Sequence, residues 1–203
     1  MTMSASTSSP WQLALAHSFD ELHPRLRTYF GAIPPGSVGR GTGVFDVVGT
    51  PRRWLWPVFA ALAPAHVLFP VWEKDVPFTV VNTPGDAITA QRTFRFRRGE
   101  RTMRDAVRWK DGTLHDVLGS PARICVRLRA TVVEGELHLA STTIWLIVGG
   151  RRLRVPGPLA PRMTLVERVR ADGRQHVAFT LVAPVIGTIY RYSGSFEFTI
   201  DKA

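Results

Sequence analysis

A chain of 203 residues with 45% hydrophobic and 21% charged content has room for one domain with a substantial core, and excludes wholesale disorder or a fibrous repeat. The net charge of +10 would suit an anionic partner, yet the only lysines are Lys74, Lys110 and Lys202. The positive charge is therefore almost all arginine, as GC-rich bacterial coding produces, and it reads as a solvated basic surface. Cys125 is the single cysteine, which excludes an intramolecular disulfide and a cysteine-based zinc site.

Residues 1–9 read as a flexible Ser/Thr-rich tail without the basic and apolar regions of a secretory leader, which together with the lone cysteine predicts a cytoplasmic protein. Residues 10–203 read as a single β-rich domain. Ser9-Pro10 is a helix start, with serine as cap and proline in the first turn. Leu15, Phe19, Leu22, Leu26 and Phe30 then recur at helical spacing, interrupted at His23-Pro24 because the residue before proline avoids helical geometry. After Pro34-Pro35-Gly36 the chain turns extended from Val38 to Val48. A further helix is expected from Thr50-Pro51 to about Leu62, inserted after this first strand.

The stretch from Trp54 to Trp72 carries no formal charge and has the length of a membrane span. Pro57, Pro64 and Pro70 interrupt it and His66 sits near its middle, so we expect no membrane span but a buried helix covering an open end or side of the sheet. From there the pattern predicts strands near 78–82, 89–97, 102–109, 114–118, 124–133, 137–148, 165–170, 175–182 and 188–200. Glycine-containing turns such as Arg98-Gly99, Asp111-Gly112, Glu134-Gly135 and Gly149-Gly150 join neighbours. The fold class expected is mainly β: an antiparallel meander forming a curled sheet or barrel, which protects its edges, with helices at the N-terminus and one after the first strand.

Motifs that would identify a reaction are missing. Gly39, Gly41 and Gly43 lie within a strand rather than between a strand and a helix, so they read as close backbone packing and not as a phosphate loop. No two histidines have the compact spacing of a zinc enzyme, no GxSxG elbow occurs, and we expect no metal and no cofactor. His115 and Asp116 are adjacent in a strand, point to opposite faces, and read as a surface pair rather than a dyad. His23 reads chiefly as a cap for the second helical piece, with a pocket role as the alternative.

Strand parity is more informative. Arg92 is in phase with Phe94 and Phe96, Asp105 with Met103, Val107 and Trp109, and Glu167 with Leu165 and Val169. Tyr190 and Tyr192 share a face with Phe196, Phe198 and Ile200. Charged groups on inward faces must pair or meet a polar ligand group. The leading expectation is a protein that binds a small, largely apolar or amphipathic molecule with a polar or anionic end inside a barrel-like cavity, with Arg92, Tyr190, Tyr192, Trp109 and His23 as ligand-binding residues. The alternatives are a cofactor-independent isomerase or cyclase using Asp105 or Glu167 as general base, and a nucleic-acid-binding protein using Arg95, Arg97, Arg98, Arg104 and Arg108. The last lacks the exposed aromatic interleaving of a single-strand platform, so nucleic acid is disfavoured.

The segments Phe19–Arg27, Gly41–Gly49, Pro156–Pro161 and Pro184–Gly187, with Leu22-His23-Pro24 as the most recognisable part, resemble domain-of-unknown-function family 4166 over roughly residues 19–200. The resemblance supplies no activity and no catalytic residue. Because the family's domain also occurs attached to reductase-like nucleotide-binding domains, it implies a reductase-like partner protein in trans.

Overall fold

The computed structural model describes residues 8–203. Its eleven strands are β1 (Ser37–Gly49), β2 (Trp72–Thr83), β3 (Ile88–Phe96), β4 (Gly99–Lys110), β5 (Thr113–Leu118), β6 (Ile124–Val133), β7 (Glu136–Val148), β8 (Arg151–Arg154), β9 (Arg162–Val169), β10 (Gln175–Ala183) and β11 (Gly187–Lys202). All pairings are antiparallel, and the order β6-β5-β4-β3-β2-β1-β11-β10-β9-β7 is closed by pairing of β6 with β7, giving a ten-stranded barrel. Closure leaves no free edge in the ring. β8 is the strand that parity did not predict. It hangs on the outer end of β7, and all four of its residues are exposed, so no apolar alternation marks it. β7 accommodates both neighbours by pairing its first half with β9 and its last residues with β8.

Period-two placement decides what fills the barrel. Phe94, Phe96, Val126, Leu128 and Phe196 are buried and Phe198 packs against them, as their shared phase predicts. Beside β1, β2 and β11 the interior is packed with aromatic rings. Phe45 stands 4.0 Å from Phe78 and 5.2 Å from Tyr192, ring centre to ring centre. Glycines make room for them: a Cβ at Gly39 would lie 2.3 Å from the Phe198 ring, and one at Gly43 would lie 2.2 Å from the Ser195 carbonyl oxygen. Gly39, Gly41 and Gly43 thus serve close packing inside a strand, as expected.

The helices are shorter than the apolar spacing suggests. α1 (Pro10–Leu15) ends at Ala16, whose φ of 49° leaves the helical region, and 3-10 turns carry the chain over residues 16–21. α2 (Pro24–Phe30) follows the predicted break. Leu15, Phe19, Leu22, Leu26 and Phe30 are nevertheless all buried. Ser9, read as part of the tail, belongs to the fold: it caps α1 through a reciprocal box with Gln12, and its hydroxyl donates to the Phe30 carbonyl. The remainder of the expected tail, residues 1–7, lies outside the described residues.

α3 (Trp56–Leu62) begins later than expected, after a 3-10 turn at residues 53–55. Pro57 does not break it because it occupies the first turn, where no intrahelical donor is required. Phe59 is buried against Tyr190, 5.2 Å between ring centres, whereas Val58 is exposed. The segment therefore covers the barrel, and no helix among the described residues is long and apolar enough to cross a membrane. The expected strand at 78–82 begins earlier, at Trp72, because β2 extends along β1 as far as Gly49.

Candidate ligand cavity

An eight-stranded barrel is just wide enough for its side chains to fill, and ten strands enclose more space. The surplus lies beside β3 to β7, β9 and β10 as a cavity of about 350 Å³. Its wall is mainly apolar, with Met103, Val107, Val126, Leu139, Ile144, Met163 and Phe179 among the side chains. The helices contribute to this lining. Trp11 of α1 and Tyr29 and Phe30 of α2 reach the cavity, and Val67 and Leu68 reach it from the segment after α3. These pieces are fixed to the sheet: the His23 amide donates to Gly135 at 3.0 Å, and the Arg104 and Ser120 amides donate to His66 and Ala65 at 2.9 and 2.8 Å.

One polar cluster interrupts the apolar wall. Arg92 projects from β3 and forms an ion pair with Asp105 of β4 through its Nη1. Register explains why they meet. Ala90 pairs with Asp105 and Arg92 with Met103, so the two charged residues are diagonal neighbours on the inner face. Asp116 extends the diagonal onto β5, since it pairs with Val107, two residues beyond Asp105. Glu167 enters from β9 and accepts a hydrogen bond from Gln175 of β10. Tyr29, Tyr192 and Asn82 line the same cavity.

Burial governs the protonation of this cluster. Desolvation pushes the Glu167 carboxyl up to about 7, although the Gln175 hydrogen bond and the Arg92 charge pull the other way. Asp105 is also raised by burial, against the charge and hydrogen bond of Arg92. Asp116 lies well above the usual carboxylate range, through burial and then through the neighbouring charge of Asp105. Burial works against the Arg92 charge, but Asp105 first, and then the phenols of Tyr29 and Tyr192, hold its pKa above the ordinary value. Burial raises Tyr29 to about 12.

The residues singled out by parity divide between this cavity and other places. Arg92, Asp105, Glu167 and Tyr192 are brought together on its wall. Tyr190 is fully buried but packs against Phe59, away from the cavity lining. Trp109 faces inward and is partly buried against the core without reaching the cavity. His23 is exposed and caps α2, its Nδ1 accepting from the Arg25 amide at 3.2 Å. Its cap role is present, and it takes no part in the cavity.

The reading of His115-Asp116 as a surface pair needs correcting. The two do point to opposite faces, but Asp116 is the one that faces inward, and His115 is buried outside the barrel wall near Thr113 and Cys125. The signal for Asp116 was its phase with Leu114 and Leu118. Asn82 likewise shares the phase of Phe78 and Val80 on β2, whereas the place of Tyr29 depends on how α2 meets the ring. No group of three or more histidine, cysteine or acidic residues suited to a metal ion occurs among the described residues.

A closed antiparallel barrel with an apolar internal cavity and one buried polar cluster is compatible with ligand binding. The sequence profile of the domain of unknown function DUF4166 matches residues 22–196, and the chain belongs to that family. A comparison with curated proteins finds no match.

Proposed function

We propose that the barrel holds one small, largely apolar molecule, with its polar end at the cluster of Arg92, Asp105, Asp116 and Glu167. The observation that carries this reading is the cavity itself, about 350 Å³ with an apolar wall and one polar cluster. Protein interiors are otherwise packed with few voids larger than a water molecule, and ligand pockets start at about 300 Å³. At about 24 cal/mol per Å³, a dry void of this size would cost several kcal/mol, so an occupant is the economical reason to keep it.

Native mass spectrometry of protein purified from its own cells tests the proposal, together with titration of the neutral apolar dye N-phenyl-1-naphthylamine. A retained small molecule and saturable, one-to-one dye binding are expected. Ala90 lines the cavity and is buried, so Ala90→Phe should fill it and abolish dye binding while the protein remains folded. Absence of both a retained molecule and saturable dye binding would remove the proposal.

A second reading, a cofactor-independent isomerase or cyclase, is favoured by one observation: a Glu167 carboxyl near 7 is matched to general-base work at neutral pH. Asp105 is less suited because it is committed to Arg92. Time-dependent consumption of a component of a cell extract by catalytic amounts of protein, abolished in Glu167→Gln, marks the enzyme. Binding without consumption marks the carrier.

A further inference from the structure

The cavity wall holds more acids than cations. It carries one guanidinium, Arg92, against three carboxyls, Asp105, Asp116 and Glu167. Asp105 already engages that one cation. Asp116 feels the Arg92 charge but is not paired with it: its Oδ1 is shielded from solvent and accepts no hydrogen bond from any described residue. Glu167 receives only the neutral amide of Gln175. Asn82, 4% exposed, lines the same cavity with its side chain against the Tyr29 phenol, and its Oδ1 accepts no hydrogen bond from a described residue. Asn82 shares a row with Asp105, because Ala90 pairs with both. The unmet demand on this wall is therefore for hydrogen-bond donors and positive charge.

We propose that the molecule held in the barrel carries a protonated amine at its polar end, received by Asp116. This rests on the reading of the barrel as a binding protein and narrows its ligand to apolar monoamines. An anionic head group meets the opposite situation. To hold it, Arg92 would have to be shared between Asp105 and the incoming anion, leaving two buried anionic groups on one cation.

Ammonium binding displaces a proton. A carboxylic acid on the wall loses its proton to solvent, and the carboxylate so formed pairs with the entering ammonium, so charge is conserved. Affinity should therefore rise as pH increases from 6 to 8, and fall only when the amine itself deprotonates near about 10.4. The ionisable groups facing the site are Arg92 from β3, Asp105 from β4, Asp116 from β5, Glu167 from β9, and the phenols of Tyr29 and Tyr192 from α2 and β11. The lining contributed by β6, β7 and β10 is apolar among the described residues.

Four probes that share an octyl-length chain test the head group: octylamine, octan-1-ol, 2-octanone and octanoate, each displacing N-phenyl-1-naphthylamine from the wild-type protein. Octylamine should bind at least about tenfold more tightly than octan-1-ol, equivalent to about 1.4 kcal/mol, and octanoate should be weakest. The external field of a chain with net charge +10 favours the anion, so this order cannot come from the protein's overall charge. Calorimetry at pH 6.5 in two buffers of different ionisation enthalpy should report release of about one proton per octylamine. Asp116→Asn should bring the octylamine-to-octan-1-ol affinity ratio close to one, with the dye titrated on the same variant as the reference. Equal binding of the four probes, or tighter binding of octanoate or 2-octanone, would overturn the amine assignment alone. Failure of the dye itself to bind would overturn the binding-protein reading beneath it.

Discussion

Arg92→Met removes the cation from a buried pair while keeping much of the side chain's length. In the native barrel the side chains of Arg92 and Asp105 are 20% and 6% exposed. Without Arg92, Asp105 faces an apolar wall and the acids Asp116 and Glu167, with no cation left to offset them. Breaking a buried pair in this way costs about 3 to 5 kcal/mol when the survivor is ionised. For a chain of this size, each kcal/mol moves the melting temperature by about 2 to 4 °C, so a fall on the order of 10 °C is expected at pH 8. Asp105 can escape by taking a proton. Its folded pKa, already raised by burial, rises further once Arg92 is gone, so the loss should shrink as pH falls toward 5. Thermal melts at pH 5 and pH 8 read both effects. Arg95→Met is the control. Arg95 and Glu100 form a surface pair, 68% and 60% exposed, and its loss should stay within about 0.5 kcal/mol. Replacing Asp105 by Asn in the Arg92→Met background should recover most of the stability at pH 8. Equal and negligible effects of Arg92→Met and Arg95→Met would refute the inward pair and the polar cluster built on it.

Three more outcomes are expected. The Glu167 carboxyl, at about 7 in the fold against 4.5 ordinarily, holds a proton that the unfolded chain has released, so its contribution to stability is lost as pH rises from about 4.5 to 7. Glu167→Gln should flatten that slope and gain up to about 3 kcal/mol over the wild type at pH 8 in urea titrations; parallel pH profiles of the two proteins would contradict this. Ser9→Ala removes the capping box of α1 and the hydrogen bond to Phe30, and should cost about 1 to 2 kcal/mol, with faster hydrogen exchange in residues 10–15 than in the strands. Gly194→Ala would place a Cβ 2.3 Å from the Val44 carbonyl oxygen and 2.5 Å from the Phe45 Cα, so β1 and β11 must separate; it should destabilise by more than the roughly 1 kcal/mol of an ordinary substitution, as denaturant melts would show.

Much of the wall was legible in the order of residues. A side chain in a strand points to one of two faces, so the phases of Arg92 with Phe94, of Asp105 with Met103 and Val107, and of Glu167 with Leu165 settle which groups turn inward before any partner is known. The same rule applied to Leu114, Asp116 and Leu118 would have found Asp116. The turns between strands and the break at His23-Pro24 are equally local, because glycine and proline act on the backbone where they stand.

Parity says nothing of position along the barrel. Tyr190 and Trp109 share inward phase with Tyr192 and Asp105, yet Tyr190 is packed beneath Phe59 and Trp109 sits against the core, while the other two reach the cavity. The level of each residue depends on register between strands far apart in sequence. The pairing of β6 with β7 and of β9 with the first half of β7 closes the ring and brings Glu167 of β9 to the same enclosure as Arg92 of β3. β8 is defined only by its partner, since its exposed arginines bury nothing. Tyr29 and Asn82 reach the cavity through the docking of α2 and the alignment of β2 with β3. Inward or outward is a property of neighbouring peptide units, whereas convergence on one cavity is a property of long-range pairing, and only the closed barrel decides it.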